Sequence, residues 1–215
     1  MKTLLFLAAL SLSSALAAPV ATLPADFFRP SVQAVEDRCA RAQVTAANPA
    51  LGTAARQAQQ ARDGGGTTVL FDDGEGSVKV QLQSVAASAY VICAGRTTRQ
   101  EDIPSAEELR SFSPVVVFID GTVSELERAG TWRATLVVIG PDGKELGRLT
   151  PTSTDVASWD YWKQNCRLGR CTWVGRNVYR FLPEAPFDTV LPVGAKVRVL
   201  ASFGQGVQQF DLPVK

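Results

Sequence analysis

The chain has 215 residues, of which 46% are hydrophobic and 20% charged, with a formal net charge of +1. This composition is typical of a folded protein and excludes a collagen-like chain or a disordered one. The chain contains no histidine, which excludes Ser-His-Asp and Cys-His nucleophile systems and histidine-ligated zinc or copper sites.

Residues 1–17 have the pattern of a cleaved secretory signal peptide. Lys2 supplies the positive start, and the apolar run 4–10 is far shorter than the ~20 residues that span a bilayer. Ala15 and Ala17 form the small-x-small pattern that precedes signal cleavage. We therefore expect an exported protein, in the periplasm, on the cell surface or outside the cell, with no transmembrane segment after cleavage.

The charge of the mature chain is balanced. Loss of Lys2 with the signal peptide leaves 21 basic and 21 acidic residues. A neutral chain lacks the bulk charge that attracts nucleic acid or an anionic membrane. No nucleic-acid partner is therefore expected.

The four cysteines predict two disulfide bonds, because an even number of cysteines in an exported protein favours pairing. Four cysteines allow three pairings, and we favour Cys39–Cys93 with Cys166–Cys171, because the four residues between Cys166 and Cys171 can form a turn. A zinc site made of four cysteines is disfavoured because the spacings lack paired C-x2-C motifs. We predict no metal site and no cofactor.

Residues 18–66 have a helical pattern. Ser31 is a candidate N-cap, and apolar residues follow it at helical spacing up to Ala46. Asn48 and Pro49 suit the start of a second, alanine-rich helix that ends at Gly64. Helices with such narrow apolar faces depend on packing. We therefore expect a helical hairpin that rests on the rest of the protein and is held there through Cys39.

Residues 67–112 mix strands with one short helix. The segment 78–82 alternates apolar and polar residues, as a half-buried strand does, and 72–76 resembles a hairpin loop before it. The continuous apolar run 89–94 predicts a central strand. Ser105 and Glu108 match a capping box that opens a short helix. This region forms either a separate small sheet or extra strands of the main one.

Residues 113–215 contain short strand patterns with turns between them. The strand candidates are 115–119, 132–138, 174–182, 197–203 and 207–214, and the segment 141–144 is a turn. The absence of regular helical crossovers favours an antiparallel β-sandwich or barrel. The expected fold is α+β, mainly β: the N-terminal helical hairpin packed on an antiparallel β-sandwich, immunoglobulin-like over 113–215.

The segment 159–182 is rich in aromatic and basic side chains. Aromatic rings offer flat apolar faces to sugars, and arginines pair with carboxylates or phosphates. The candidate residues for binding a ligand or partner are Trp159, Tyr161, Trp162, Arg167, Arg170 and Trp173. In a second interpretation these rings pack across a hairpin with arginines stacked on them.

An acidic stretch, residues 101–127, is the counterpart of that segment. It contains seven acidic residues and one basic residue, Arg110. Three interpretations remain open. The stretch faces the basic segment within the molecule, meets it in a neighbouring copy, or is exposed to solvent.

The sequence favours a non-enzymatic binding or envelope-assembly protein whose partner is a protein or glycan of the cell envelope. No catalytic residue is assigned, because any two of the 21 acidic residues offer the carboxylate pair that glycoside cleavage needs. The first alternative is a protein like a carbohydrate-binding module, using the aromatic surface. The second is a carboxylate-dependent hydrolase.

Overall fold

The computed structural model describes residues 21–48, 50–52, 55, 58–59, 67–72, 78–155, 162–167, 170–184, 187–203 and 206–215. The predicted signal peptide lies outside these ranges. The helices are α1 (Val32–Ala47), α2 (Val85–Arg99), α3 (Ala106–Phe112) and α4 (Leu126–Gly130). The strands are β1 (Thr67–Asp72), β2 (Val78–Gln83), β3 (Val115–Val123), β4 (Arg133–Ile139), β5 (Glu145–Leu149), β6 (Ser153–Asp155), β7 (Trp162–Arg167), β8 (Arg170–Phe181), β9 (Lys196–Ser202) and β10 (Val207–Pro213).

The described strands form two antiparallel sheets. The larger sheet has the order β1-β2-β3-β8-β6, with β7 also pairing with β8, and the smaller has the order β10-β9-β4-β5. The prediction of an α+β, mainly β fold is confirmed, and the immunoglobulin-like arrangement stays a prediction. Because Val80 of β2 pairs with Ile119 of β3, strands β1 and β2 are extra strands of the main sheet.

The main hydrophobic core lies between the two sheets. Alternate residues of β3, β4 and β9 face it, as the period-two pattern predicts. Ile119 and Tyr179 enter it from the larger sheet, and Leu136 and Val199 from the smaller one; all four are fully buried. Burying a side chain of this size contributes about 2 kcal/mol each.

A second, smaller core lies among the helices. Ser31 caps α1 as predicted, because its hydroxyl accepts a hydrogen bond from the Ala34 amide. Val35 and Cys39 of α1 pack in one cluster with Tyr90 and Cys93 of α2. Cys39 and Cys93 form a disulfide bond with their Cα atoms 5.4 Å apart. The N-terminal segment is therefore linked covalently to the chain that follows β2.

The predicted strand at 89–94 is wrong, because these residues lie within helix α2. A short apolar run does not distinguish a buried strand from a buried helix. The deciding signal is Ser84, whose side chain accepts a hydrogen bond from the Ala87 amide and so starts the helix. Of the second helix predicted after Asn48, residues 55, 58 and 59 are helical, and most of the remainder lies outside the described residues.

Among the described helices, none combines the length and the apolar character needed to cross a membrane.

Candidate binding surface

Strands β7 and β8 form a hairpin closed by a disulfide bond near its end. Arg167 pairs with Arg170 at the closed end, and Cys166 is bonded to Cys171 with their Cα atoms 4.0 Å apart. Both predicted cysteine pairings are therefore present in the structure. Because the bridge crosses a very short loop, it restricts the conformations open to the end of the hairpin.

The end of this hairpin extends beyond the neighbouring strand. The last residue of β3, Val123, pairs with Trp173 of β8. Strand β8 begins three residues earlier, at Arg170, where among the described strands it pairs with β7. Residues 170–172 and the facing part of β7 therefore extend beyond the last residue of β3.

Trp173 lies at the base of this projection. Its ring is half-buried and packs against the core between the sheets, on the same face of β8 as the buried Asn177 and Tyr179. The ammonium nitrogen of Lys163, directly opposite on β7, lies 5.3 Å from the centre of the ring. This distance is within the range of a cation–π contact. Trp173 and Lys163 therefore link the projecting hairpin to the core.

The other predicted binding residues divide into two groups. Trp159 and Tyr161 lie outside the described residues. Trp162, Arg167 and Arg170 belong to the hairpin, where the structure describes their backbone: Trp162 pairs with Val174 of β8, and the two arginines pair with each other. Four of the six predicted residues, counting Trp173, thus share one hairpin.

Farther along β8, the arginines pair with carboxylates of the same molecule. Arg176 donates two hydrogen bonds to Asp120 of β3, at 2.5 and 3.0 Å. Arg180 donates one to Asp155 of β6, at 2.5 Å. Asp120 belongs to the predicted acidic stretch, so at this point the acidic and basic segments meet within one molecule. Other acids of the stretch pair locally, such as Glu107 with Arg110.

Among the residues that the structure describes, the carboxyl pKa values that depart clearly from their ordinary range shift downward. The guanidinium of Arg99 lowers the pKa of Glu101, and hydrogen bonds from Ser105 lower that of Glu108. Hydrogen bonds from Arg148 and Arg198 lower the pKa values of Glu145 and Asp211 respectively. These four carboxyl groups are therefore held in the charged form, whereas a general acid in glycoside cleavage needs a raised pKa. Burial raises the pKa of the Tyr179 hydroxyl in the core.

Within the described part of the chain, no group of three or more Cys, Asp or Glu residues is placed to hold a metal ion.

Sequence reasoning missed a second surface feature, a row of charged residues across the outer face of the larger sheet. Asp72, Lys79, Asp120 and Arg176 occupy adjacent register positions on β1, β2, β3 and β8. The charges alternate in sign across the four strands. The sequence contains all four charges, but their alignment depends on the strand register, which the sequence pattern did not reveal.

Fold and site together define an α+β, mainly β protein with two disulfide bonds and a projecting, disulfide-closed hairpin. Comparison of the chain with known protein families, with curated proteins and with solved structures found no match in any of the three.

Proposed function

We propose that the protein is an exported, non-enzymatic binding component of the cell envelope, and that the β7–β8 hairpin contacts its partner. The observation that carries this proposal is the hairpin end, which projects past Val123 of β3 and is closed by the bond between Cys166 and Cys171. A preorganised loop loses less conformational entropy on binding than a flexible one. A hairpin end that projects from the sheet and is held by a disulfide bond has the properties expected of a recognition element.

The charge of the hairpin indicates an acidic partner. Arg176 and Arg180 are already neutralised by Asp120 and Asp155. Arg167 and Arg170 pair with each other in the backbone register at the closed end, so two positive charges belong to the same short segment. Arginine is the residue best suited to bidentate recognition of carboxylate or phosphate. The proposed partner is an acidic protein or an acidic glycan of the envelope.

Export is supported by the signal-peptide pattern of residues 1–17 and by the two disulfide bonds. Disulfides persist in the periplasm and outside the cell, whereas the cytosol keeps thiols reduced. A non-enzymatic role is supported by the lack of histidine, the commonest general acid and base.

The test compares capture of partners from the organism's own envelope extract by mature protein and by a hairpin variant. We expect the double variant Arg167→Ala/Arg170→Ala to lose a species that the unmodified protein retains. The matched control is Arg128→Ala/Arg148→Ala, which removes two exposed arginines that form local ion pairs with Glu125 and Glu145. If the hairpin variant and the control capture the same species in the same amounts, the proposed binding element is wrong.

Treating the extract before the capture step shows whether the retained species is a protein or a glycan. Protease treatment abolishes capture of a protein partner, and periodate, which cleaves vicinal diols, abolishes capture of a glycan. The alternative of a carbohydrate-binding module has its own variant, Trp159→Ala/Trp162→Ala. If this variant loses a periodate-sensitive species that the arginine variant keeps, aromatic stacking is the mode of binding and the arginine proposal fails.

A further inference from the structure

The outer face of the larger sheet carries two ion pairs side by side. Nζ of Lys79 on β2 lies 3.3 Å from Oδ2 of Asp72 on β1. Nε of Arg176 on β8 lies 2.5 Å from Oδ1 of Asp120 on β3. Because Lys79 and Asp120 are direct partners across β2 and β3, the two pairs form one continuous row. The order of charge along the row is negative, positive, negative, positive.

This row remains accessible to solvent. The side chains of Lys79, Asp72 and Arg176 are 37%, 44% and 47% exposed, and that of Asp120 is 26% exposed. The residues on the other face of the same strands, such as Val80 and Ile119, are fully buried in the core. The charged row therefore belongs to an open sheet face.

Apolar side chains border the row on the same face. Val69 of β1 is 48% exposed and pairs with Gln81 of β2, which in turn pairs with Phe118 of β3. The guanidinium of Arg176 lies 4.6 Å from the centre of the Phe118 ring. Farther along the same strands, Val116 and Gln83 are buried. The open part of the face is thus a charged row beside a partly apolar one.

We propose that this face binds a second copy of the same chain through a two-fold axis. The axis lies midway between the two facing sheets, runs parallel to the strands and passes over the line between β2 and β3. Such an axis reverses the row, so that Asp72 faces Arg176 of the second copy and Lys79 faces Asp120 of the second copy. All four positions then meet a charge of opposite sign. A two-fold interface must be complementary to itself, and this order of charges meets that condition.

The same rotation brings together the two apolar ends of the neighbouring row, while its middle residues, Gln81 and Phe118, face each other across the axis. Reversal of this row places Val69 against Val178 of the second copy, the residue that pairs with Phe118 on β8. Adjacent strands are about 4.8 Å apart, so the charged row extends over about 14 Å, and facing sheets pack about 10 Å apart. Stacking without reversal would oppose like charges at every position, which disfavours it. The even balance of charge in the mature chain leaves no long-range repulsion between copies.

Sedimentation velocity on the mature protein tests this proposal over a range of concentrations. We expect a reversible dimer that dissociates as salt is added, because exposed charges are screened over a Debye length of about 8 Å at physiological ionic strength. A wild-type protein that stays monomeric at about 0.5 mM would overturn the proposal.

Charge exchange between copies gives the sharper measurement. Asp72→Arg alone opposes two arginines across the axis, and Arg176→Asp alone opposes two aspartates, so each variant should dimerise at least about tenfold more weakly. An equimolar mixture of the two variants restores opposite charges at every position and should form the heterodimer. The control Arg148→Asp, which changes an exposed, ion-paired arginine of the smaller sheet, should leave dimerisation unchanged.

Both variants are first checked for native circular dichroism and for both disulfide bonds. If the folded variants fail to associate when mixed, the proposed face is wrong. The hairpin variant Arg167→Ala/Arg170→Ala should dimerise like wild type, so this proposal and the proposed function fail independently of each other.

Discussion

Asn177, near the middle of β8, donates a hydrogen bond from Nδ2 to the main-chain carbonyl of Ala129 in α4, at 2.8 Å. The two residues are 48 positions apart in the chain, and Asn177 is fully buried. The same nitrogen lies 3.3 Å from the hydroxyl of Tyr179. A buried amide with these partners ties the short helix α4 to the inner face of the larger sheet.

We predict that Asn177→Ala lowers the free energy of unfolding by about 1–3 kcal/mol, because a buried hydrogen bond is lost and the smaller side chain leaves a cavity. The Ala129 carbonyl keeps the amide of Trp132 as a donor. Urea unfolding at neutral pH measures the change. Gln208→Ala, at an exposed position of β10, should change stability by less than about 0.5 kcal/mol. Equal effects of the two substitutions would contradict a structural role for this hydrogen bond.

The two disulfides should contribute unequally to stability. The bond between Cys39 and Cys93 closes a loop with a sequence separation of 54, and that between Cys166 and Cys171 a separation of 5. Chain entropy then predicts losses of about 4 and 2 kcal/mol when each pair is replaced by serine. Denaturant unfolding of Cys39→Ser/Cys93→Ser and of Cys166→Ser/Cys171→Ser provides the comparison. A larger loss for the hairpin bond would show that the entropic account is wrong here.

The ion pair between Arg198 and Asp211 predicts a dependence of stability on pH. Hydrogen bonds from the guanidinium of Arg198, at 2.7 and 2.8 Å, lower the pKa of Asp211. Its contribution is present above the ordinary pKa of an aspartate, about 4, and is lost as pH falls through the lowered value. Asp211→Asn should therefore destabilise the protein at pH 7 by less than about 1 kcal/mol, with the difference disappearing in acid.

Unfolding of wild type and Asp211→Asn from pH 7 down to about pH 2 checks this prediction. The matched control is Asp188→Asn, at an exposed position in the chain before β9. A difference between wild type and Asp211→Asn that grows toward low pH would have the wrong sign and would refute the assignment.

The turn between β4 and β5 depends on a glycine. Gly143 has a φ of +81°, and its amide bonds to the carbonyl of Gly140 at 2.9 Å. We predict that Gly143→Ala costs about 1 kcal/mol, because a side chain disfavours this left-handed conformation. Gly130→Ala is the matched control, since an added Cβ there meets no atom within 4 Å. Thermal unfolding should show a lower melting temperature for the first substitution alone.

Local signals in the sequence predicted the elements that begin at a helix-capping residue or contain a turn glycine. Ser31 starts α1, and the capping box of Ser105 and Glu108 starts α3, as expected. The turn through Gly143 also forms where the sequence predicts it. These features depend on hydrogen bonds and dihedral angles within a few residues, so the surrounding fold hardly alters them.

Helix α2 shows where such reasoning failed. Its apolar run 89–94 fits a central strand as well as a buried helix, and the choice depends on what covers it. Here Val35 and Cys39 of α1 pack against it, so its buried residues lie on the face of a helix that is covered by α1. Strand β6, three residues long, is too short to be recognised without its partner β8.

For the candidate site, too, some features were predictable from the sequence and others were not. The sequence by itself determined the residue types and the concentration of arginine and aromatic side chains around Cys166 and Cys171, and it favoured the cysteine pairing that the structure shows. Only the tertiary structure decided that Arg176 is neutralised by Asp120 and that four charges form one row across the larger sheet. The physical reason is register: residues far apart in the chain become neighbours through hydrogen bonding between strands, and a shift by one residue would move each charge to the opposite face.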